Sequence, residues 1–128
     1  MSNSTLVSPV EAQHLMRSGY TYVDVRSELE FARGHVAGAI NVPLQNVEGD
    51  RLVDNPKFGA RMLATFRTTD PLLIGCRSGA RSQLAVGRLQ GLGFTQLAQL
   101  RYGLFGARDD FGRHLPGWID LGLPVVLG

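Results

Sequence analysis

Apolar positions along this chain fall into short runs that alternate with helically spaced stretches, and capping residues mark where one pattern gives way to the other. Ser8-Pro9-Val10-Glu11 opens the first helical stretch. Serine is placed to cap it, proline takes the first helical position, and glutamate three residues on closes a capping box. This helix is expected to run to Arg17 and to end at Gly19. The segment "YTYVDV", 20–25, is rich in β-forming residues and reads as a strand. Ser27 and Glu30 repeat the capping box and open a short helix that stops at Gly34. "AINVP", 39–43, reads as a short strand closed by Pro43.

Residues 44–56 are polar and turn-rich, and "PKFGARMLATF", 56–66, looks helical with an interruption at Gly59. Asp70-Pro71 marks a turn before "LLIG", 72–75, a brief apolar run of the fully buried kind. From Arg81 the spacing of Leu84, Ala85, Val86 and Leu89 suits a helix that ends near Gly91 or Gly93. "FTQLAQL", 94–100, alternates as a strand does. Strands interleaved with helices imply the α/β class, a mainly parallel sheet covered on both faces. There is no internal repeat, low-complexity tract or linker, so residues 1–128 are expected to form a single domain.

Composition narrows the function. A chain of 128 residues can bury a sizeable core. Thirteen basic residues against eleven acidic ones leave a net charge of +2, and the basic residues are dispersed, which gives no footing for nucleic acid or an acidic membrane. No apolar run approaches the roughly 20 residues needed to span a bilayer. The N-terminus lacks the basic and apolar regions of a signal peptide. One cysteine cannot form an internal disulfide. The expectation is a soluble protein of a reducing compartment, the cytoplasm.

That one cysteine, Cys76, sits in "LLIGCRSGARSQLAVGRLQGLG", 72–93, at the carboxyl end of a strand and just ahead of a helix. In an open α/β sheet this is where ligands bind. The following Arg77, Ser78, Gly79 and Ala80 include small residues that let backbone N–H groups turn toward one point. Such a turn at a helix N-terminus forms an anion cradle. Arg77 and Arg81 add positive charge, and Ser78 or Ser82 can donate a hydroxyl. Negative charge on a sulfur held there is favoured by helix dipole and guanidinium alike. A lone cysteine is most often an inert, buried small hydrophobe. Adjacent cations and a glycine turn serve no purpose for such a thiol, so the pattern favours a nucleophile that attacks an anionic substrate.

The loop Cys76-Arg77-Ser78-Gly79-Ala80-Arg81-Ser82 resembles the active-site loop of single-domain rhodaneses, the sulfurtransferases. "YVDVRSELEFARGHVAGAINVP", 22–43, resembles the upstream signature of that family, and "WIDLGLPVV", 118–126, its terminal segment. The resemblance implies a three-layer rhodanese fold, a five-stranded mainly parallel sheet with helices on both sides. It implies that Cys76 takes sulfane sulfur from thiosulfate or a related persulfide donor and passes it to cyanide or a thiol through a covalent persulfide. On this reading Arg77 and Arg81 bind the anionic donor, and the amides of 77–81 hold the persulfide. Asp24, Arg26 and Glu30 act as scaffold behind the loop, and neither metal nor organic cofactor is needed. The spacing from Cys76 to Arg81 is C-x4-R; cysteine phosphatases have C-x5-R, a wider cradle for a phosphoryl group.

Two alternatives stay open: a non-catalytic or sensory module that binds a partner, and a protein-to-protein persulfide relay. His14, His35 and His114 have no metal-ligand spacing. "GARDD" and "GRLQG" lack a phosphate-loop lysine and read as turns. Gly75 stands where the family commonly carries a bulky aromatic, and its small size is expected to widen access to Cys76. The usual glycine pair after the last strand reads Tyr102-Gly103. The segment 104–117 is longer than usual and is expected either near the active-site mouth, where it would shape donor or acceptor choice, or as a plain surface helix.

Overall fold

The computed structural model describes residues 5–128; residues 1–4, which the single-domain expectation also spans, lie outside the described residues. The run "LLIG" forms β7 (Leu72–Gly75), buried along its whole length. Alternation of side chains across a strand explains why the run is continuously apolar. Leu72 and Ile74 point to one core cluster and Leu73 to a second one. Burying each of these side chains contributes roughly 1.5–3 kcal/mol.

Four further strands join β7 in one sheet: β1 (Thr5–Val7), β2 (Thr21–Asp24), β4 (Ile40–Asn41) and β8 (Leu97–Leu100). The order is β1-β8-β7-β2-β4, with every neighbouring pair parallel. Their connections include α1 (Pro9–Arg17), α2 (Glu28–Ala32), α3 (Phe58–Thr65) and α4 (Ala80–Gly91). Helices α3 and α4 supply Phe58, Met62, Ala85, Val86 and Leu89 to the cluster that holds Leu72 and Ile74. Ala12 of α1, with Trp118 from the C-terminal segment, packs against Leu73 and Tyr22 on the other face. The expected α/β class with a parallel sheet covered on both faces is what the chain forms.

Both capping boxes are made. Ser8 Oγ accepts from the Glu11 amide at 3.1 Å while Glu11 accepts from the Ser8 amide at 2.9 Å. Ser27 and Glu30 repeat the exchange at the start of α2. Gly59 does not interrupt α3, contrary to the sequence expectation. A Cβ there would lie 3.3 Å from Leu92, so the glycine serves close packing of α3 on the end of α4.

Several elements were not expected. β1 is three residues long and pairs only with β8. Residues 44–56, read as turn-rich, contain the hairpin β5 (Gln45–Glu48) and β6 (Arg51–Asp54). β3 (His35–Val36) pairs with β11 (Val125–Val126), and β9 (Ala107–Arg108) pairs with β10 (His114–Leu115), both antiparallel. The predicted strand 94–100 is shorter at its start, because the Phe94 amide still bonds to Leu89 and finishes α4.

No helix among the described residues is long and apolar enough to cross a membrane.

Candidate active site

Parallel strands place their carboxyl ends on one edge, and the chain gathers its reactive groups there. Cys76 follows β7 directly, and Gly79 precedes α4 with φ +119°, a backbone state that glycine adopts without steric cost. That turn brings the Gly79 amide to 3.1 Å and the Ser82 amide to 3.3 Å from Cys76 Sγ. The thiol donates to Ser82 Oγ at 3.4 Å, and that hydroxyl donates to the Gly79 carbonyl at 2.9 Å. Among the described residues the amides of Arg77, Ser78, Ala80 and Arg81 have no acceptor. They remain free to bind an incoming anion.

The sulfur lies deep. Cys76 is 1% exposed and belongs to the same core cluster as Val25 and Val42, while Arg77, Ser78 and Ala80 beside it in the chain are exposed. It is therefore the floor of a turn whose outer wall faces solvent. Gly75 does not widen access to it, which corrects the expectation from its small size. A Cβ at Gly75 would fall 1.8 Å from the Tyr22 hydroxyl and 2.3 Å from the ring carbon that bears it. The aromatic missing from β7 comes instead from the adjacent strand β2. Burial, the largest cause, raises the Tyr22 pKa well above its ordinary value, and the nearby Asp24 carboxylate adds to this, so the phenol stays protonated.

The two loop arginines part company. Arg81 donates from Nη1 to Glu30 Oε1 at 2.6 Å and from Nη2 to Oε2 at 2.9 Å, a bidentate pair. Its guanidinium is thus engaged with α2, which corrects the picture of a free donor-binding cation. The Arg81 bond is the main reason that the Glu30 carboxyl falls from an ordinary 4.5 to about 2; Ser27 adds to the fall and burial opposes it. Arg81 is raised in turn, chiefly by its bond to Glu30, while burial opposes the rise and the Asp24 carboxylate adds slightly to it. Arg77 has no carboxylate partner among the described residues; its guanidinium carbon lies 5.0 Å over the ring centroid of Phe105.

Behind the loop, Arg26 is 2% exposed and binds both carboxylate oxygens of Asp24 at 2.8–3.0 Å, and it also donates to the Gly34 carbonyl. Asn41 donates to the backbone carbonyls of Asp24 and Arg26, tying β4 to the end of β2. His35 stacks on Phe31 with a centroid separation of 3.6 Å and bonds to its carbonyl, a structural role.

The segment 104–117 begins at the loop itself. The amides of Leu104 and Phe105 donate to the carbonyls of Cys76 and Arg77 at 2.8 and 3.0 Å. These bonds fix the peptide planes that lead into the cradle. Gly103, at φ +64°, leaves no room for a side chain: a Cβ would lie 2.5 Å from the Arg77 carbonyl. The rest of the segment is the β9–β10 hairpin. It is tied at its tip by Asp109 and Arg113 and near its base by His114 on Asp120. Three partners escaped the sequence reading: Tyr22, Phe105 and the Glu30–Arg81 pair. Phe105 left a trace as part of the segment expected at the active-site mouth, and the Tyr22 contact left only an indirect one, the absence of an aromatic in β7.

The rhodanese-like domain model matches residues 8–109. Thiosulfate sulfurtransferase 16, chloroplastic, of Arabidopsis thaliana is 36% identical over 119 residues, which cover 93% of this chain and 90% of that protein. The senescence-associated protein DIN1 of Raphanus sativus is 39% identical over 114 residues; the match covers 89% of this chain and 56% of that longer protein. Among solved structures, Rv0390 of M. tuberculosis superposes with a TM-score of 0.80 at 26% identity, over 98% of both chains. With a family model matching most of its length and these relatives beside it, the chain belongs to the rhodanese-like domain family.

Proposed function

We propose that the protein is a sulfurtransferase working as one domain over residues 1–128. Cys76 takes sulfane sulfur from a small anionic donor such as thiosulfate and passes it to cyanide or a thiol. The carrying observation is the pair of amide hydrogens, from Gly79 and Ser82, aimed at the Cys76 sulfur. Relatives named as thiosulfate sulfurtransferases support the reaction class.

The chemistry follows from that geometry. The thiolate attacks the outer sulfur of thiosulfate; a bond forms from Sγ to that atom, the donor's S–S bond breaks, and sulfite leaves with the electron pair. The new persulfide carries its negative charge one atom further out, where the amides of Arg77, Ser78, Ala80 and Arg81 can receive it. Ser82 can rotate its hydroxyl from the Gly79 carbonyl toward the ionised sulfur. Cyanide then attacks the outer sulfur and departs as thiocyanate, and the thiolate returns. Arg77 meets the donor's charge, and Arg81 holds the loop to Glu30. Asp24 and Arg26 keep the strand end in place. A thiolate chemistry of this kind fits a reducing compartment such as the cytoplasm.

Steady-state assays with thiosulfate, glutathione persulfide and mercaptopyruvate against a common acceptor test the proposal. Turnover with at least one anionic donor is expected, mercaptopyruvate ranking last, and Cys76→Ser should abolish it. Turnover that survives Cys76→Ser overturns the role of Cys76, and none with any donor overturns the reading and leaves the non-catalytic module in its place.

A further inference from the structure

Phe105 occupies the first exposed position of the hairpin stem, two residues after the Tyr102-Gly103 turn. It is fixed to the active loop twice. Its amide donates to the Arg77 carbonyl at 3.0 Å, and its ring lies beneath the Arg77 guanidinium at 5.0 Å. The stem is itself anchored, since the Trp118 and Ile119 amides donate to the carbonyls of Gly103 and Leu104. One face of the ring is covered by the guanidinium, yet Phe105 keeps 43% of its surface open to solvent. A fixed cation and an uncovered aromatic surface therefore stand side by side at the residue next to Cys76.

We propose that Phe105 is a specificity-determining residue of the sulfurtransferase reaction. It positions the Arg77 guanidinium and selects anionic sulfur donors that carry a flat apolar group, aryl thiosulfonates being the class. This rests on the reading of Cys76 as the sulfur carrier. Arg81 directs both Nη groups to Glu30 in a bidentate pair, which leaves Arg77 as the loop cation without a carboxylate partner among the described residues. In such a donor the sulfonyl oxygens meet Arg77 and the aryl ring lies against the open part of Phe105. The Cys76 thiolate attacks the terminal sulfur. The bond from Sγ to that atom forms, the bond from it to the sulfonyl sulfur breaks, and an aryl sulfinate leaves with the electron pair. Charge balances: two anions enter, and a persulfide anion and a sulfinate result.

The test compares thiosulfate with benzenethiosulfonate on the full chain and on Phe105→Ala, Phe105→Leu and Phe105→Tyr, with cyanide as the acceptor. Loss of the cation–π contact in Phe105→Ala should raise KM for thiosulfate about threefold. KM for benzenethiosulfonate should rise about tenfold, because ring–ring contact is lost as well. The kcat values should hold, and Phe105→Tyr should restore both constants. Phe105→Leu keeps the apolar bulk at this half-open position and guards against misfolding; it should fall between Ala and wild type. Unchanged KM values, an equal rise for both donors, or a fall in kcat alone overturns the proposal.

A second arm uses no turnover. Benzenesulfonate, which has the ring and the anionic head but no sulfur to give, is titrated into Cys76→Ser protein with and without Phe105→Ala and followed by NMR. Weaker binding in the Phe105→Ala protein supports the selection site even if wild type transfers no sulfur, in which case only the sulfurtransferase reading fails. Equal binding overturns the selection site.

Discussion

Gly75 and Tyr22 are read together or not at all. The strand β7 can pass under the phenol only because residue 75 has no Cβ, and the phenol fills the volume that a side chain there would need. Gly75→Ala should destabilise the protein by roughly 1–3 kcal/mol through overpacking, read as a lowered denaturation midpoint. Combining it with Tyr22→Leu should cost less than the two changes summed, since the second makes room for the first. Strict additivity would contradict the contact. Cys76, its arginines and the glycine turn were legible in the sequence because they are neighbours in the chain. Tyr22 was not, because its role depends on the register Tyr22↔Leu73, which sets β2 beside β7.

Between elements, the Glu30–Arg81 pair joins α2 to the start of α4 across 51 residues of chain. Glu30 was expected to cap its own helix, and it does; its second bond, to Arg81, is long-range and left no local mark. The folded-state pKa of about 2 lies below the ordinary 4.5, so the pair's stabilisation is fully present above about pH 4.5. It is lost as pH falls toward 2. The shift corresponds to at most about 3 kcal/mol, lessened by solvent because the side chains are 14% and 24% exposed. The unfolding free energy should drop between pH 5 and pH 3 by about 1–2 kcal/mol more in wild type than in Glu30→Gln. An identical pH slope in both proteins would contradict the assignment. Helices α1 and α2 were legible to within a residue or two because their capping boxes are local chemistry. The β5–β6 hairpin was not, since its strands are largely exposed and carry no apolar alternation. The two-residue strands β9 and β10 are too short to show any period.

Across the whole molecule, the sheet order β1-β8-β7-β2-β4 puts Cys76 at the carboxyl end of the middle strand, which has packed core on both faces. The buried Asp24–Arg26 pair braces this centre by reaching the Gly34 carbonyl, while Asn41 binds the backbone beside it. Arg26→Ala should cost about 3–5 kcal/mol, because it strands the Asp24 carboxylate in the interior, and a loss of unfolding free energy under about 1 kcal/mol would contradict that role. The α/β class was legible from the alternation of runs alone. The depth of the sulfur was not, because burial depends on how β2 and the segment from Gly103 to Phe105 close around the loop. If Cys76 carries the transferred sulfur, intact-protein mass after incubation with thiosulfate will show it. Wild type should gain the mass of one sulfur atom, removed by cyanide and absent from Cys76→Ser; no gain on wild type, or a gain that persists in the serine variant, would rule out Cys76 as the carrier.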